Sequence, residues 1–451
     1  MVDVPLLQRL RRLDSPSARG ALVAILAFVA MVAPFQLTPM ADDWTAFSDV
    51  YRGTRHVGTM LTRVPVSALI GYLTIRPAVW EHGWPLMYVF FAVHAAGATL
   101  VATALARRLG QEPVDESGRH IWAFALAVTA LYAGHFEILF WPSCMAFTVG
   151  LPLLGLALWV RAPAGRVALL ALSFLTYETF VLPALAALLL PALLRPSERG
   201  RLRDLAAAAW PWAAALAATL AVRAALGALS GGSYAHSVTQ EPARMLAKAL
   251  GARDSLTDLV FYGRDPWPTR VQHLGLALLA AAALGMHRLR GLAAVLVGAL
   301  AVFASTAVYW VLEYFGPRAL YGSASFAAAL LAVLAVTSAR RRWSRVVVVA
   351  ALVCLATAYV WHTVHILATK DHNAAVLARL EREVCDAAAA CPGPCTVHIP
   401  PPNRGLRHDW TLHQDYWPGY LDVLAVRCGG GRDLRVEVAG ESTVVAASPR
   451  E

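Results

Sequence analysis

The chain has 451 residues, of which 58% are hydrophobic and 15% charged, and its formal net charge is +10. Ordinary soluble domains are about 45–50% apolar and about 25% charged, so this balance excludes that class and points to a polytopic membrane protein. The excess cations imply no nucleic-acid partner, because the arginines concentrate in alternate short loops between apolar segments, as cytoplasmic loops do.

Apolar segments of spanning or near-spanning length recur at 20–37, 84–105, 121–140, 144–160, 167–176, 179–194, 206–227, 271–287, 291–313, 319–338 and 346–366. The expected fold class is an all-α polytopic membrane protein with about 11 helical membrane segments. Arg9, Arg11, Arg12 and Arg19 precede or open the first segment, and Arg107, Arg108 and Arg119 follow the second. Arg161 and Arg166 come next, then Arg195, Arg199, Arg201 and Arg203, then Arg288 and Arg290, and finally Arg340, Arg341, Arg342 and Arg345. These groups place the N-terminus and their loops in the cytoplasm. The first segment has some marks of a cleavable signal, including Ala41 at the cleavage position. Pro39 would then stand at −3, and the apolar run exceeds a usual signal core, so a retained span is expected.

Segment 167–194 begins after Arg166 and ends before Arg195, both read as cytoplasmic. Its 28 residues are too few for two full crossings at about 1.5 Å per residue. One re-entrant hairpin fits, with Tyr177 and Glu178 at its apex, and such broken backbone needs protein or a water-filled cavity around it. Long stretches outside the spans occur at 38–83 and 228–270 and in the tail.

The expected domains are 1–366 in the membrane and a small extracytoplasmic α+β domain over 367–451. The tail opens with a helix-compatible run from Asp371 to Ala390, in which Val376, Leu377, Leu380 and Val384 recur at helical spacing. Thr396 to Ile399 and Leu434 to Val438 read as short strands, the first stopped by Pro400, Pro401 and Pro402. Four of the six cysteines, Cys385, Cys391, Cys395 and Cys428, lie here. An even, clustered set indicates two disulfides and an oxidising compartment, and an odd number of crossings also puts the tail outside. A zinc site is the rival, but Cys391 and Cys395 lack an equally good second pair. Cys144 and Cys354 fall within spans and read as packing residues.

Ionisable residues collect where spans reach the outer face: Asp42, Asp43, His135, Glu137, Glu178, Arg223, Glu313 and Arg318. Charges at such boundaries are costly enough to be functional candidates. The strongest is the pair in Pro39-Met40-Ala41-Asp42-Asp43-Trp44, which opens the first outer loop. Arg52, Arg55, His56 and Arg63 follow, and Met60 to Ile75 is apolar enough to lie in the interface. Cations beside an acid pair suit a phosphate-bearing lipid substrate, arginine gripping phosphate oxygens while a carboxylate takes a proton from an attacking hydroxyl. Binding of anionic headgroups alone remains open for these arginines. In the tail, His408-Asp409 and His413 with Asp415 read as a solvated loop rather than a metal site. Trp410, Tyr416, Trp417 and Tyr420 fit either a sugar-binding surface or a small core.

This arrangement resembles the GT-C superfamily of membrane glycosyltransferases, which use polyprenyl-phosphate-linked sugars, and especially its uncharacterised bacterial branch. The matching parts are Ala41-Asp42-Asp43-Trp44, Glu137-Ile138-Leu139-Phe140-Trp141, Leu175-Thr176-Tyr177-Glu178 and Gly316-Pro317-Arg318-Ala319-Leu320-Tyr321-Gly322. The resemblance implies sugar transfer from a polyprenyl-phosphate donor to a cell-envelope glycan, lipid or protein on the outer face of the plasma membrane. It implies that Asp42 or Asp43 is the general base or helps to hold a divalent cation, Mg or Mn. It gives the donor phosphate to Arg318 with Arg52 or Arg55, and substrate contacts to Glu137, Glu178 and Tyr321. No Trp-Trp-Asp motif occurs, which argues against protein N-glycosylation. The rival readings are an O-antigen polymerase or ligase type of enzyme and a transporter or flippase, the last expected to carry mid-depth charges in repeated halves.

The orientation is testable with a reporter active only outside the cytoplasm. It is expected to work when fused within 38–83, within 228–270 or in the tail, and to be silent within 106–120, 195–204 or 339–345. A silent tail fusion overturns the orientation.

Overall fold

A computed structural model describes residues 15–37, 39, 42–52, 64–74, 85–132, 136–141, 144–194, 201–230, 241–257, 266–307, 310, 320–391, 393–407, 412 and 414–439. In chain order the helices are α1 Pro16–Val32, α2 Asp42–Arg52, α3 Pro65–Thr74, α4 Pro85–Leu109, α5 Glu116–Ala130, α6 Gly150–Trp159, α7 Pro163–Thr176 and α8 Val181–Leu194. There follow α9 Arg201–Ser230, α10 Pro242–Thr257, α11 Trp267–Ser305, α12 Tyr321–Ser338 and α13 Arg342–Ala389. The chain closes with β1 Cys395–Ile399, α14 Trp417–Gly429 and β2 Leu434–Val438.

Among the described residues, four helices, α4, α9, α12 and α13, contain stretches long and apolar enough to cross a membrane. Shorter apolar helices lie at Pro16–Val32, Met145–Trp159, Pro163–Thr176, Glu178–Leu194 and Val295–Ser305. Among the described residues the chain is thus mainly helical, with helices fit by length and composition to cross a membrane and a two-stranded sheet near the C-terminus.

The observed helices differ from the expected segments in three places. The span expected at 121–140 is helical only to Ala130, resuming briefly at Phe136–Leu139. Thr129 Oγ1 bonds back to Ala125 O at 2.8 Å and Leu126 O at 3.2 Å, a local competition that weakens the last turn. The spans expected at 271–287 and 291–313 share one 39-residue helix, α11, with no turn at Arg288 and Arg290. No proline interrupts that stretch, and Gly291, costing about 1 kcal/mol relative to alanine, does not by itself end a helix. The span at 346–366 and the tail helix at 371–390 likewise fuse into α13, 48 residues long, because Leu367-Ala368-Thr369-Lys370 contains no breaker.

A single crossing by α11 would remove one crossing from the count. It would invert the loops that follow, including the arginine-rich one at 340–345, against the positive-inside distribution.

The chain divides into two compact units. The larger comprises Met1–Pro34, Val57–Thr74 and Gly83–Ile366, and the smaller Phe35–His56, Ile75–His82 and Leu367–Glu451. The helix bearing the acid pair belongs with the smaller unit.

In the larger unit, helices approach closely through small residues, as apolar surroundings require. A Cβ on Gly97 of α4 would lie 2.7 Å from Pro152 N of α6, and one on Gly155 of α6 would lie 2.6 Å from Leu100 Cβ. Helix α11 runs antiparallel to the first part of α13, Trp267 meeting the Trp361 ring at 5.4 Å and Gly285 facing Trp343. Several of the arginines that mark the loops cap helix ends: Arg108 Nε donates to Leu158 O at 2.8 Å, Arg166 Nη2 to Val160 O at 2.9 Å and Arg345 Nε to Ala339 O at 2.9 Å. Each supplies a donor and positive charge where helix carbonyls lack partners. Arg345 also pairs with Asp115, which caps α5 by accepting from Gly118 N at 2.7 Å. The Gly118 amide, then Arg345, hold the Asp115 carboxyl below its usual range.

In the smaller unit, β1 and β2 pair in parallel, in register from Cys395 opposite Leu434 to Ile399 opposite Val438. Alternate residues of β2 are buried, the pattern of a strand with one covered face. Helix α14 lies between the strands in sequence and ends at Gly430, whose φ of 55° is the left-handed conformation a helix end commonly takes. One disulfide joins Cys385 of α13 to Cys428 of α14, whereas Cys391 and Cys395 are thiols, so one of the two expected bridges is present.

The Cys385–Cys428 bridge closes a sequence separation of 43. Chain-entropy arithmetic gives such a loop about 4 kcal/mol. Replacing both cysteines with serine is expected to lower the unfolding free energy of the tail by about that amount, read by denaturant titration of its exposed thiols and helical signal. An unchanged midpoint would remove the bridge from the list of stabilising contacts.

Candidate functional site

The first cluster of polar groups lies at the α7–α8 break. Helix α7 ends at Thr176, Tyr177 is extended at φ −161° and ψ 130°, and a 3-10 turn over Glu178–Phe180 leads into α8. Pro183 explains the break, since it has no N–H and its ring would clash with the carbonyl of Thr179 in a continuous helix. The two helices have 14 residues each, about 21 Å, shorter than a hydrocarbon core of about 30 Å. The break falls at Tyr177 and Glu178, the expected hairpin apex, but α7 and α8 do not fold back on one another: α9 passes them in turn, with Arg201 at Leu193 O, Trp212 at Val181 O and Arg223 at Phe174 O.

The backbone groups freed there are taken up by side chains. Ser67 Oγ donates to Thr176 O at 2.7 Å, and Arg223 Nη2 to Phe174 O at 3.3 Å. Arg223 Nη2 also reaches Glu178 Oε2 at 3.5 Å, with Arg223 25% and Glu178 13% exposed. Tyr177 is buried and stacks on Phe147 with ring centroids 4.1 Å apart. Glu178 and Arg223 form an ion pair that braces the break, whatever else they bind.

Tyr321 opens α12 in the same unit and is fully buried. Its hydroxyl lies 2.6 Å from His94 Nδ1, and its ring stands edge-on to Phe180 with centroids 5.7 Å apart. His94 Nε2 lies 3.2 Å from Ala130 O, which can only accept, so Nε2 carries the proton and Nδ1 accepts from Tyr321. Tyr321 therefore joins α12 to α4 from the interior.

The acid pair lies in the smaller unit, in the first turn of α2. Carboxylates there complement the helix dipole by about 0.3–1 kcal/mol each, one reason for the chain to become helical at Asp42. Trp44, Phe47, Ser48 and Tyr51 share one face at helical spacing, and that face docks on α14. A Cβ on Gly419 would lie 2.8 Å from Thr45 N, so only glycine allows the helices to approach this closely. The Trp44 and Tyr420 ring centroids are 4.8 Å apart, and Ser48 Oγ donates to Asp422 Oδ2 at 2.9 Å. Arg427 Nε donates to Tyr51 OH at 3.4 Å, and its Nη1 lies 3.3 Å from Glu381 Oε1 of α13.

Asp43 is 0% exposed and has partners. Its burial adds a structural role to the one expected for it. Trp417 and Tyr420 are also buried, so these two aromatics belong to the small core rather than to an exposed sugar-binding surface. Burial, then the neighbouring Glu381, push the Tyr420 hydroxyl well above its usual range.

Two further polar residues of α13 are buried in this unit and were not singled out by sequence: Asn373, which accepts from Arg407 N at 2.8 Å and donates to Arg407 O at 2.9 Å, and Lys370, 2% exposed. Lys370 and Lys248 are the chain's two lysines amid abundant arginine. That rarity is the signal that could have drawn attention to Lys370.

The side chains of Asp42, Arg52 and Glu137 lie outside the described residues, as do Arg55, Arg318, Glu313, His135, His408, Asp409 and His413. Among the described residues, no group of three or more His, Cys, Asp or Glu side chains is placed to hold a metal ion, so they assemble no ligand set for the expected Mg or Mn. Glu178, Arg223 and Tyr321 belong to one unit and Asp43 to the other. Comparison with models of protein families gives no match, and neither a curated protein nor a solved structure matches the chain.

The bracing role of Arg223 gives a direct test. Arg223→Ala leaves a partly buried carboxylate without its cation and is expected to cost about 1–3 kcal/mol, less than the 3–5 kcal/mol of a fully buried pair. The Glu178→Gln/Arg223→Met double variant is expected to recover most of it, read by thermal unfolding in detergent. Equal losses in the single and double variants would show that the two residues do not act as a pair.

Proposed function

We propose that the protein is an integral-membrane glycosyltransferase of the GT-C type, which moves a sugar from a polyprenyl-phosphate donor to a cell-envelope acceptor on the outer face of the membrane. The observation that carries this reading is the acid pair at the start of α2, where a helix that follows the first apolar segment begins on two carboxylates. The burial of Asp43 leaves Asp42 as the member proposed to meet substrate. Arg52 and Arg55 lie within the same stretch, Phe35–His56, and are proposed to grip the donor phosphate.

In this mechanism Asp42 accepts the proton of the acceptor hydroxyl as its oxygen attacks the anomeric carbon. The bond from that carbon to the phosphate oxygen breaks, and the polyprenyl phosphate departs with the electron pair, its charge held by the arginines. A lipid-anchored donor supplies the activated sugar where nucleotide sugars are absent. Alignment of hydroxyl, carbon and leaving oxygen is the protein's main contribution to rate.

The test is transfer by the full-length protein in proteoliposomes, supplied with labelled polyprenyl-phosphate sugars and envelope extract. Asp42→Asn keeps size and hydrogen bonding while deleting the charge. It should retain insertion and melting temperature and lose transfer by about a hundredfold or more, the range of a general base. Asp43→Asn should chiefly lower melting temperature. Undiminished transfer in Asp42→Asn, or translocation of labelled lipid without transfer by the wild type, overturns the proposal.

A further inference from the structure

We propose that Cys391 and Cys395 are a redox-active dithiol that closes reversibly into a second disulfide beside the permanent Cys385–Cys428 bridge. The two cysteines flank the sequence Pro392-Gly393-Pro394 and are held from opposite sides. Cys391 follows α13, its N–H donating to Ala388 O at 3.2 Å and its Sγ to Ala387 O at 3.4 Å. Cys395 opens β1, its N–H donating to Asp433 O at 3.2 Å. Anchored in this way, Cys391 and Cys395 both meet the turn at Arg432 and Asp433, the Cys391 sulfur neighbours the Cys395 thiol, and both are partly exposed. Closing the bridge therefore requires only a local adjustment of side chains.

Arg432 supplies the second element. Its Nη1 donates to Cys391 O at 2.9 Å, which fixes a cation beside the pair, and this charge favours the Cys395 thiolate against the stronger opposing effect of the Cys391 hydrogen bond. Cys395 and Arg432 line a narrow crevice with Gly393, Gly429, Asp433 and Leu434, and Cys395 is partly exposed. Because the hydrogen bond raises the Cys395 thiol, exchange should accelerate as pH rises and the thiolate forms.

The two bridges differ in what they constrain. The existing one closes a separation of 43 residues, whereas Cys391 and Cys395 are four apart, a ring that removes far less freedom from the unfolded chain. Folding thus holds the first bridge strongly and the second weakly, the condition for reversible reduction. In the reaction, one thiolate attacks a sulfur of an incoming disulfide, such as oxidised glutathione, and forms a mixed disulfide as the first leaving thiolate departs. The other cysteine thiolate then displaces the second. Two protein thiols have lost two protons and two electrons, and the incoming disulfide has become two thiols.

The test uses the full-length protein in membranes, equilibrated across a glutathione redox series, acid-quenched and labelled with a mass-tagged maleimide. The expected result is joint loss of the Cys391 and Cys395 tags along a two-electron curve, with Cys385 and Cys428 untagged throughout. In Cys391→Ser, Cys395 should take a glutathione adduct instead. Full labelling of both thiols in the most oxidising buffer, separate adducts on the two thiols of the wild type, or one shared transition of all four cysteines each overturns the proposal.

Discussion

An apolar environment leaves no solvent to satisfy a backbone amide or carbonyl, and the larger unit is organised around that constraint. At several helix ends, and at one break, a side chain completes the backbone. Arg108, Arg166 and Arg345 close the carbonyls at Leu158, Val160 and Ala339. At the α7–α8 break the same work falls to Ser67 and Arg223. The arginines that signal orientation in sequence are, in three dimensions, partners for helix ends, so topology and stability share the same residues. Glu178 fits this scheme as the counter-charge that makes a partly buried Arg223 tolerable, since an unpaired guanidinium there would be costly.

The smaller unit solves a different problem. It has only a two-stranded sheet, and a sheet of that size is marginal without helices packed against it. Its remaining order comes from the end of α13, from α14 and from α2, a helix contributed by the other end of the chain. The Gly419 approach, the Trp44–Tyr420 ring contact and the Ser48–Asp422 hydrogen bond together make α2 an integral part of this unit. The acid pair is consequently anchored by residues near the C-terminus, a second demand on carboxylates that sequence presents only as an outer-loop feature.

Much of this was legible in sequence, and what was not has physical causes. Hydropathy located α4 and α12 to within a few residues, because burial in lipid or protein demands continuous apolar composition. The break at Tyr177 could be read because arginines bound the segment and limit its length. The continuity of α11 and α13 could not, since hydropathy records where a chain is apolar and not where a helix stops. Stopping requires a proline or turn residues that Arg288 to Gly291 and Leu367 to Lys370 do not supply. The strands at Thr396 and Leu434 followed from alternation. The docking of α2 had no local signal, because nothing in residues 42–52 encodes a partner at 417–429.

The docking of α2 also sets a schedule for biogenesis. Ser48 and the Asp422 it binds are 374 positions apart. At a synthesis rate of about 5–20 residues per second, α2 emerges roughly 20–75 s before its partner helix exists. For that interval Trp44 and Phe47 have no α14 to cover them, and the acid pair stands at a helix start with nothing fixing its geometry. The segment made just after α1 is thus among the last to reach its final form, and a ribosome-bound or truncated chain lacking α14 holds all of its acid pair and none of the helix on which that pair is set.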